Sequence, residues 1–128
     1  MKILIVEDDK TYAEVLKEFL TFRLQTEIEL VHDHKQVQST AESFKPHLIL
    51  LDLGLGAHPE ASGLPVLQKL SEGADTKDIP VIIISGYNEA NILKQVISRK
   101  VAEYAVKPIN LTDLLARIKK VLGKKNLI

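Results

Sequence analysis

Two spacings of apolar residues alternate along the chain. Short apolar runs occur at 2–6 (KILIV), 28–31 (IELV), 48–51 (LILL), 81–84 (VIII) and 104–106 (YAV). Their length and branched side chains predict strands. Between them the apolar residues recur at three and four. Tyr12, Val15, Leu16, Phe19 and Leu20 predict one amphipathic helix. Val37, Ala41 and Phe44 predict a second, and Leu64, Leu67 and Leu70 a third. Ile92, Leu93, Val96 and Ile97 predict a fourth. Leu111, Leu114, Leu115, Ile118 and Leu122 predict the last, with Gly123 placed to stop it.

Strict alternation of five strands with five helices predicts an α/β fold, a parallel sheet covered by helices on both faces. The runs starting at 2, 48 and 81 are continuously apolar, as strands buried on both sides must be. EIELV alternates and AEYAV is mixed, so these two are placed at the sheet edges. Right-handed crossovers then favour a doubly wound, five-stranded (βα)5 sheet of order 2-1-3-4-5.

Composition narrows the chemistry. The chain of 128 residues reads as one domain over 1–128, and it has no cysteine, which removes disulfides and thiolate metal sites. Lys plus Arg and Asp plus Glu number 17 each, so no net charge draws it to nucleic acid or to an anionic membrane. No apolar stretch approaches the ~20 residues that span a bilayer. These features predict a soluble, cytoplasmic protein with no direct nucleic-acid contact and no membrane insertion.

In open α/β sheets, ligands bind beyond the carboxyl ends of the strands. There the first strand is followed by Glu7, Asp8 and Asp9, the third by Asp52, the fourth by Ser85 and the fifth by Lys107 and Pro108. Each residue has an ordinary reading. An acid after a strand is often a helix N-cap, a Ser before Gly is often a turn residue, and a lone Lys is usually solvated. Even with Asp8 or Asp9 serving as a helix N-cap, they bring three carboxylates, a hydroxyl and an ammonium to one rim. Crowded carboxylates need countercharge. With no Cys or His at the rim, oxygen donors point to a hard divalent cation. Such a rim suits a doubly charged phosphoryl group, with a carboxylate as nucleophile. Gly54 puts no side chain over the site and leaves an approach open. His32, His34, His47 and His58 are scattered and read as surface or structural residues.

ILIVEDD (3–9), PHLILLDL (46–53), IIISGY (82–87) and YAVKP (104–108) resemble, in order and over essentially the whole chain, the receiver domains of bacterial two-component response regulators. The resemblance implies a flavodoxin-like fold like that of single-domain chemotaxis regulators. It implies Asp52 as phosphoacceptor, served by a histidine kinase or phosphotransfer protein. It implies Mg2+ (or Mn2+) held by Glu7, Asp8, Asp52 and the backbone carbonyl of Gly54. Ser85 and Lys107 would contact the phosphoryl group, and the Lys107–Pro108 peptide would be cis. Ser85 and Tyr104 would switch on modification. The surface of the fourth helix, fifth strand and fifth helix would then choose a downstream protein or an effector domain missing from this chain. The implied chemistry is self-phosphorylation and self-dephosphorylation, not turnover of a substrate as an enzyme. A degenerate receiver that binds partners without phosphorylation is the alternative.

Three departures stand out. DLGLGAHPEASG has Gly56 where the family commonly has proline, and Gly63 as the matching glycine makes the loop about three residues longer. Val101 replaces a frequent glycine. Tyr87, two residues past Ser85, is expected to overhang the site and slow hydrolysis. Two other folds fit less well. A flavodoxin needs a Ser/Thr-rich phosphate loop where this chain has VEDDK, and a haloacid-dehalogenase-type phosphatase needs a second acid where it has Gly54.

Overall fold

The computed structural model describes residues 1–53, 64–86 and 101–124. Five strands form one sheet: β1 (Lys2–Val6), β2 (Glu27–Val31), β3 (Leu48–Asp52), β4 (Val81–Ser85) and β5 (Val101–Val106). All described pairings are parallel and the order is β2-β1-β3-β4-β5. The helices are α1 (Lys10–Leu24), α2 (Val37–Phe44), α3 (Leu64–Glu72) and a last helix, Leu111–Lys124. A 3₁₀ turn, His34–Gln36, leads into α2. The fourth helix read from Ile92, Leu93, Val96 and Ile97 lies outside the described residues, as do Gly54, Gly56, Gly63 and Tyr87. None of the described helices is long and apolar enough to cross a membrane.

Strand alternation divides the core. Ile3, Ile5, Leu48, Leu50, Ile82 and Ile84 pack with Leu16 and Leu20 of α1 and Leu114, Ile118 and Leu122 of the last helix. Leu4, Val6, Ile49, Leu51 and Ile83 point the other way, onto Val37 and Ala41 of α2 and Leu67 and Leu70 of α3. Successive residues of a strand face opposite sides, so a continuously apolar strand feeds both layers. The edge strands are only partly buried, as their mixed patterns require.

The structure corrects three details. Val15 is 44% exposed, and the buried stripe of α1 runs through Ala13, Leu16 and Leu20, flanked by Tyr12 and Phe19. Gly123 does not stop the last helix, which continues to Lys124. β5 begins at Val101, ahead of its apolar run, because the β4–β5 register shifts between Val81 and Ile82. Val81 pairs with Val101 and Ile82 with Glu103, so Ala102 is an extra residue, a β-bulge at the end of the sheet away from the polar rim. Arg117 ties this edge down by donating to the Glu103 carboxylate at 2.8 Å and to the Tyr104 carbonyl at 2.6 Å.

Gly73 marks a close approach. A Cβ there would collide with Thr76 Oγ1 and lie 2.7 Å from Gln38 Nε2. Those atoms are committed, since Gln38 donates to Thr76 Oγ1 and Thr76 donates to the Leu70 carbonyl. Gly73→Ala is expected to lower stability by about 1–3 kcal/mol, the usual cost of overpacking. Urea unfolding would check it, and an unchanged midpoint would contradict it.

Candidate functional site at the carboxyl rim of the sheet

Asp52 and Ser85 are the final ladder residues of β3 and β4, not loop residues that follow them. Asp52 lies across from Ile84 and Ser85 across from Val106. The ladder then continues two bonds further, Leu53 N to Ile84 O at 2.9 Å and Lys107 N to Ser85 O at 2.8 Å. Backbone pairing therefore fixes where Asp52, Ser85 and Lys107 stand. The Lys107–Pro108 peptide is cis.

The Asp52 side chain is 1% exposed, and Lys107 Nζ reaches its Oδ2 at 2.6 Å from a side chain that is 36% exposed. Burial works against the ammonium charge, but the hydrogen bond and charge of Asp52, with Glu7 behind it, outweigh burial and raise the Lys107 pKa above its ordinary value. Glu7 is the first residue past β1 and is 2% exposed. Burial, then the hydrogen bond and negative charge of Asp52, push the Glu7 carboxyl up to about 8 from an ordinary 4.5. Asp8 adds a further hydrogen bond to Glu7. Ser85 is fully buried, and its Oγ has no hydrogen-bond partner among the described residues.

The acidic triplet divides its work. Asp9 is the N-cap of α1, accepting from Tyr12 N at 3.1 Å, while its own N–H donates to Glu7 Oε2 at 3.2 Å. Asp8 is exposed. Glu7 touches both Asp8 and Asp52, yet the described residues hold no three acidic or imidazole groups already placed around one cation. Oxygen donors without Cys or His still fit a hard cation that keeps several of its waters. Tyr104 is half-buried beside the α2–α3 layer, with its hydroxyl buried and unpartnered among the described residues.

Two neighbours of the site were hidden in the sequence. Tyr12, read in the sequence as an apolar helix position, is raised in pKa by burial first. It also lies close enough to feel Lys107, Glu7 and Asp52 electrostatically. His32 Nδ1 lies 2.9 Å from the Glu7 carbonyl.

Glu7 makes stability depend on pH when a chelator is present. The folded chain holds a proton up to about pH 8, whereas the unfolded chain releases it near 4.5. The stabilising effect of that proton is complete below 4.5 and lost as pH rises to about 8. Its full size is on the order of a few kcal/mol. Melting in EDTA should show this slope, and Glu7→Gln should flatten it; an equal slope in both would refute the assignment.

The model of the response regulator receiver domain matches residues 3–119. The chain belongs to that family. The transcriptional regulatory protein KdpE of Staphylococcus aureus is 34% identical over 121 residues, covering 92% of this chain and 48% of KdpE. The response regulator MprA of Mycobacterium ulcerans is 28% identical over 127 residues, 99% of this chain and 52% of MprA. This receiver chain thus spans about half the length of the curated relatives it matches. Among solved structures, a CheY-like receiver domain from Methanospirillum hungatei superposes with a TM-score of 0.80 at 26% identity, covering 98% of this chain and 95% of the other. The regulatory domain of the repressor of iron transport regulator (RitR) also gives 0.80, at 24% identity, covering 99% and 98%. The superpositions bear out the flavodoxin-like receiver fold, and the family match with its curated relatives bears out the two-component assignment.

Proposed function

We propose that this receiver domain accepts a phosphoryl group on Asp52 from a phosphohistidine of a histidine kinase or phosphotransfer protein. The observation that carries the reading is the Asp52 carboxylate. It is buried at the end of β3 with Lys107 Nζ 2.6 Å away, and the Glu7 carboxyl is hydrogen-bonded beside it. An Asp52 oxygen attacks phosphorus and forms the acyl phosphate bond. The bond from phosphorus to the donor nitrogen breaks, and its electron pair stays on the imidazole. Lys107 follows the negative charge from carboxylate to phosphoryl oxygen. Ser85 Oγ, unpartnered among the described residues, supplies a hydrogen bond to another phosphoryl oxygen.

Glu7, Asp8 and Asp52 would hold Mg2+ or Mn2+, with the Gly54 carbonyl as a further donor. When bound, the cation neutralises the crowded carboxylates and the charge of the transferring group. The raised Glu7 pKa supports this reading, because burial first, and then the hydrogen bond and charge of Asp52, make a second negative charge costly there until a cation offsets it. The domain acts as a phosphoacceptor with self-phosphorylation and self-dephosphorylation only. Its output passes through a downstream protein or an effector domain, engaged at the surface of β5 and the last helix once Ser85 and Tyr104 rearrange. A cytoplasmic place of action goes with that role. The complete set of charged groups speaks against the phosphorylation-independent alternative.

Intact-mass spectrometry after incubation with a small phosphodonor and Mg2+ tests the proposal. One added phosphoryl group that requires the metal is the expected result. An unmodified chain after rapid quenching would overturn it.

A further inference from the structure

Besides its contacts with Asp52 and Asp8, Glu7 is held by three further hydrogen bonds. Its N–H donates to the Val31 carbonyl at 3.0 Å, its Oε2 accepts from Asp9 N at 3.2 Å, and its carbonyl meets the His32 ring at 2.9 Å. The third contact arises where the sheet runs out. β1 and β2 are paired up to Val6 and Val31, and the Glu7 N–H adds one bond beyond that. A continuing parallel ladder would serve the next carbonyl, that of Glu7, with a backbone N–H two residues past Val31. Here the chain turns away instead. Asp33 becomes the N-cap of the 3₁₀ turn and accepts from Lys35 N at 3.0 Å. The His32 imidazole takes the place of the missing backbone donor.

A carbonyl oxygen only accepts, so Nδ1 must carry the hydrogen. We propose that His32 is a positioning residue for cation binding. Its Nδ1–H fixes the backbone of Glu7, and through it the directions of the Glu7 and Asp8 carboxylates. This rests on the reading of those two acids as metal-holding groups. Donors behind a ligating residue commonly change metal affinity by about 10–100-fold when removed.

The test measures binding of Mn2+ alone, from the loss of its free-ion electron paramagnetic resonance signal. It uses the wild-type chain, His32→Asn, His32→Leu and His32→Ala. An Asn side chain can place an N–H near the position of Nδ1, whereas Leu keeps bulk without a donor. His32→Leu and His32→Ala are expected to bind Mn2+ about tenfold or more weakly. His32→Asn is expected to stay close to wild type, and melting in EDTA verifies that each variant is folded. If Leu disrupts the fold, the Ala and Asn pair makes the same comparison. Wild-type affinity in the donor-less variants would overturn the proposal and leave the metal reading intact. So would an Asn variant as weak as the others, because the ring's packing would then be what matters. A wild-type chain that binds no Mn2+ would overturn the metal reading itself, and the role of His32 with it.

Discussion

Asp52→Asn is expected to take up no phosphoryl group under conditions that modify the wild-type chain fully. The substitution keeps the shape of a side chain buried at the end of β3, but it replaces a carboxylate oxygen with an amide, which is far too weak a nucleophile. The fold should survive. Lys107 is partly in solvent and can rehydrate when its partner's charge goes. A second signature follows from Glu7. Two of the influences that raise its pKa, the hydrogen bond and the charge of Asp52, are altered together. The variant should therefore show a weaker stability–pH slope in EDTA as well as no adduct. Full modification of the Asn variant would place the acceptor elsewhere.

Lys107→Ala is expected to slow modification by about 10²–10³-fold, the usual loss when one preorganised positive or donor group is withdrawn from developing charge. Single-turnover modification, followed by rapid quenching, measures this directly. The variant also removes the cation 2.6 Å from a carboxylate that is 1% exposed. Because one end of the pair reaches solvent, the stability cost should fall below the ~3–5 kcal/mol seen when a fully buried pair is broken. Lys107→Arg should recover little of the rate, since the broad guanidinium does not repeat a compact ammonium. A rate within a factor of three of wild type in the Ala variant would remove Lys107 from the phosphoryl site.

The sheet was legible because its signals are local. Continuous apolar runs named the central strands, mixed runs named the edges, and handedness supplied the order. The polar rim was legible for the same reason: Glu7, Asp52, Ser85 and Lys107 sit at or just past the ends of strands that announce themselves. Tyr12 and His32 were not. Tyr12 carries the apolar periodicity of α1, and only the placement of that helix turns it toward Lys107. His32 follows an edge strand among scattered histidines, and its contact exists because the ladder stops at the Val31 carbonyl. Asp8 and Asp9 were equal candidates for the helix cap, and geometry gave that duty to Asp9. Val15 lay within the apolar arc and still faces outward, since a helix on one side of a sheet buries only its inner stripe.

The bulge at Ala102 sets the reading frame of β5. A strand counts in twos, so Val101 and Tyr104, three apart, would face opposite sides of a regular ladder. With Ala102 looped out of the count, both pack toward the α2–α3 layer, and every residue from Glu103 onward keeps step with β4 up to Ser85 and Val106. Changes of chain length ahead of Ala102 can thus be absorbed before they reach the rim. One residue gained or lost between Glu103 and Lys107 has no such slack. It would invert the parity of Tyr104 or displace Lys107 by about one strand step, ~3.3 Å, enough to part it from Asp52.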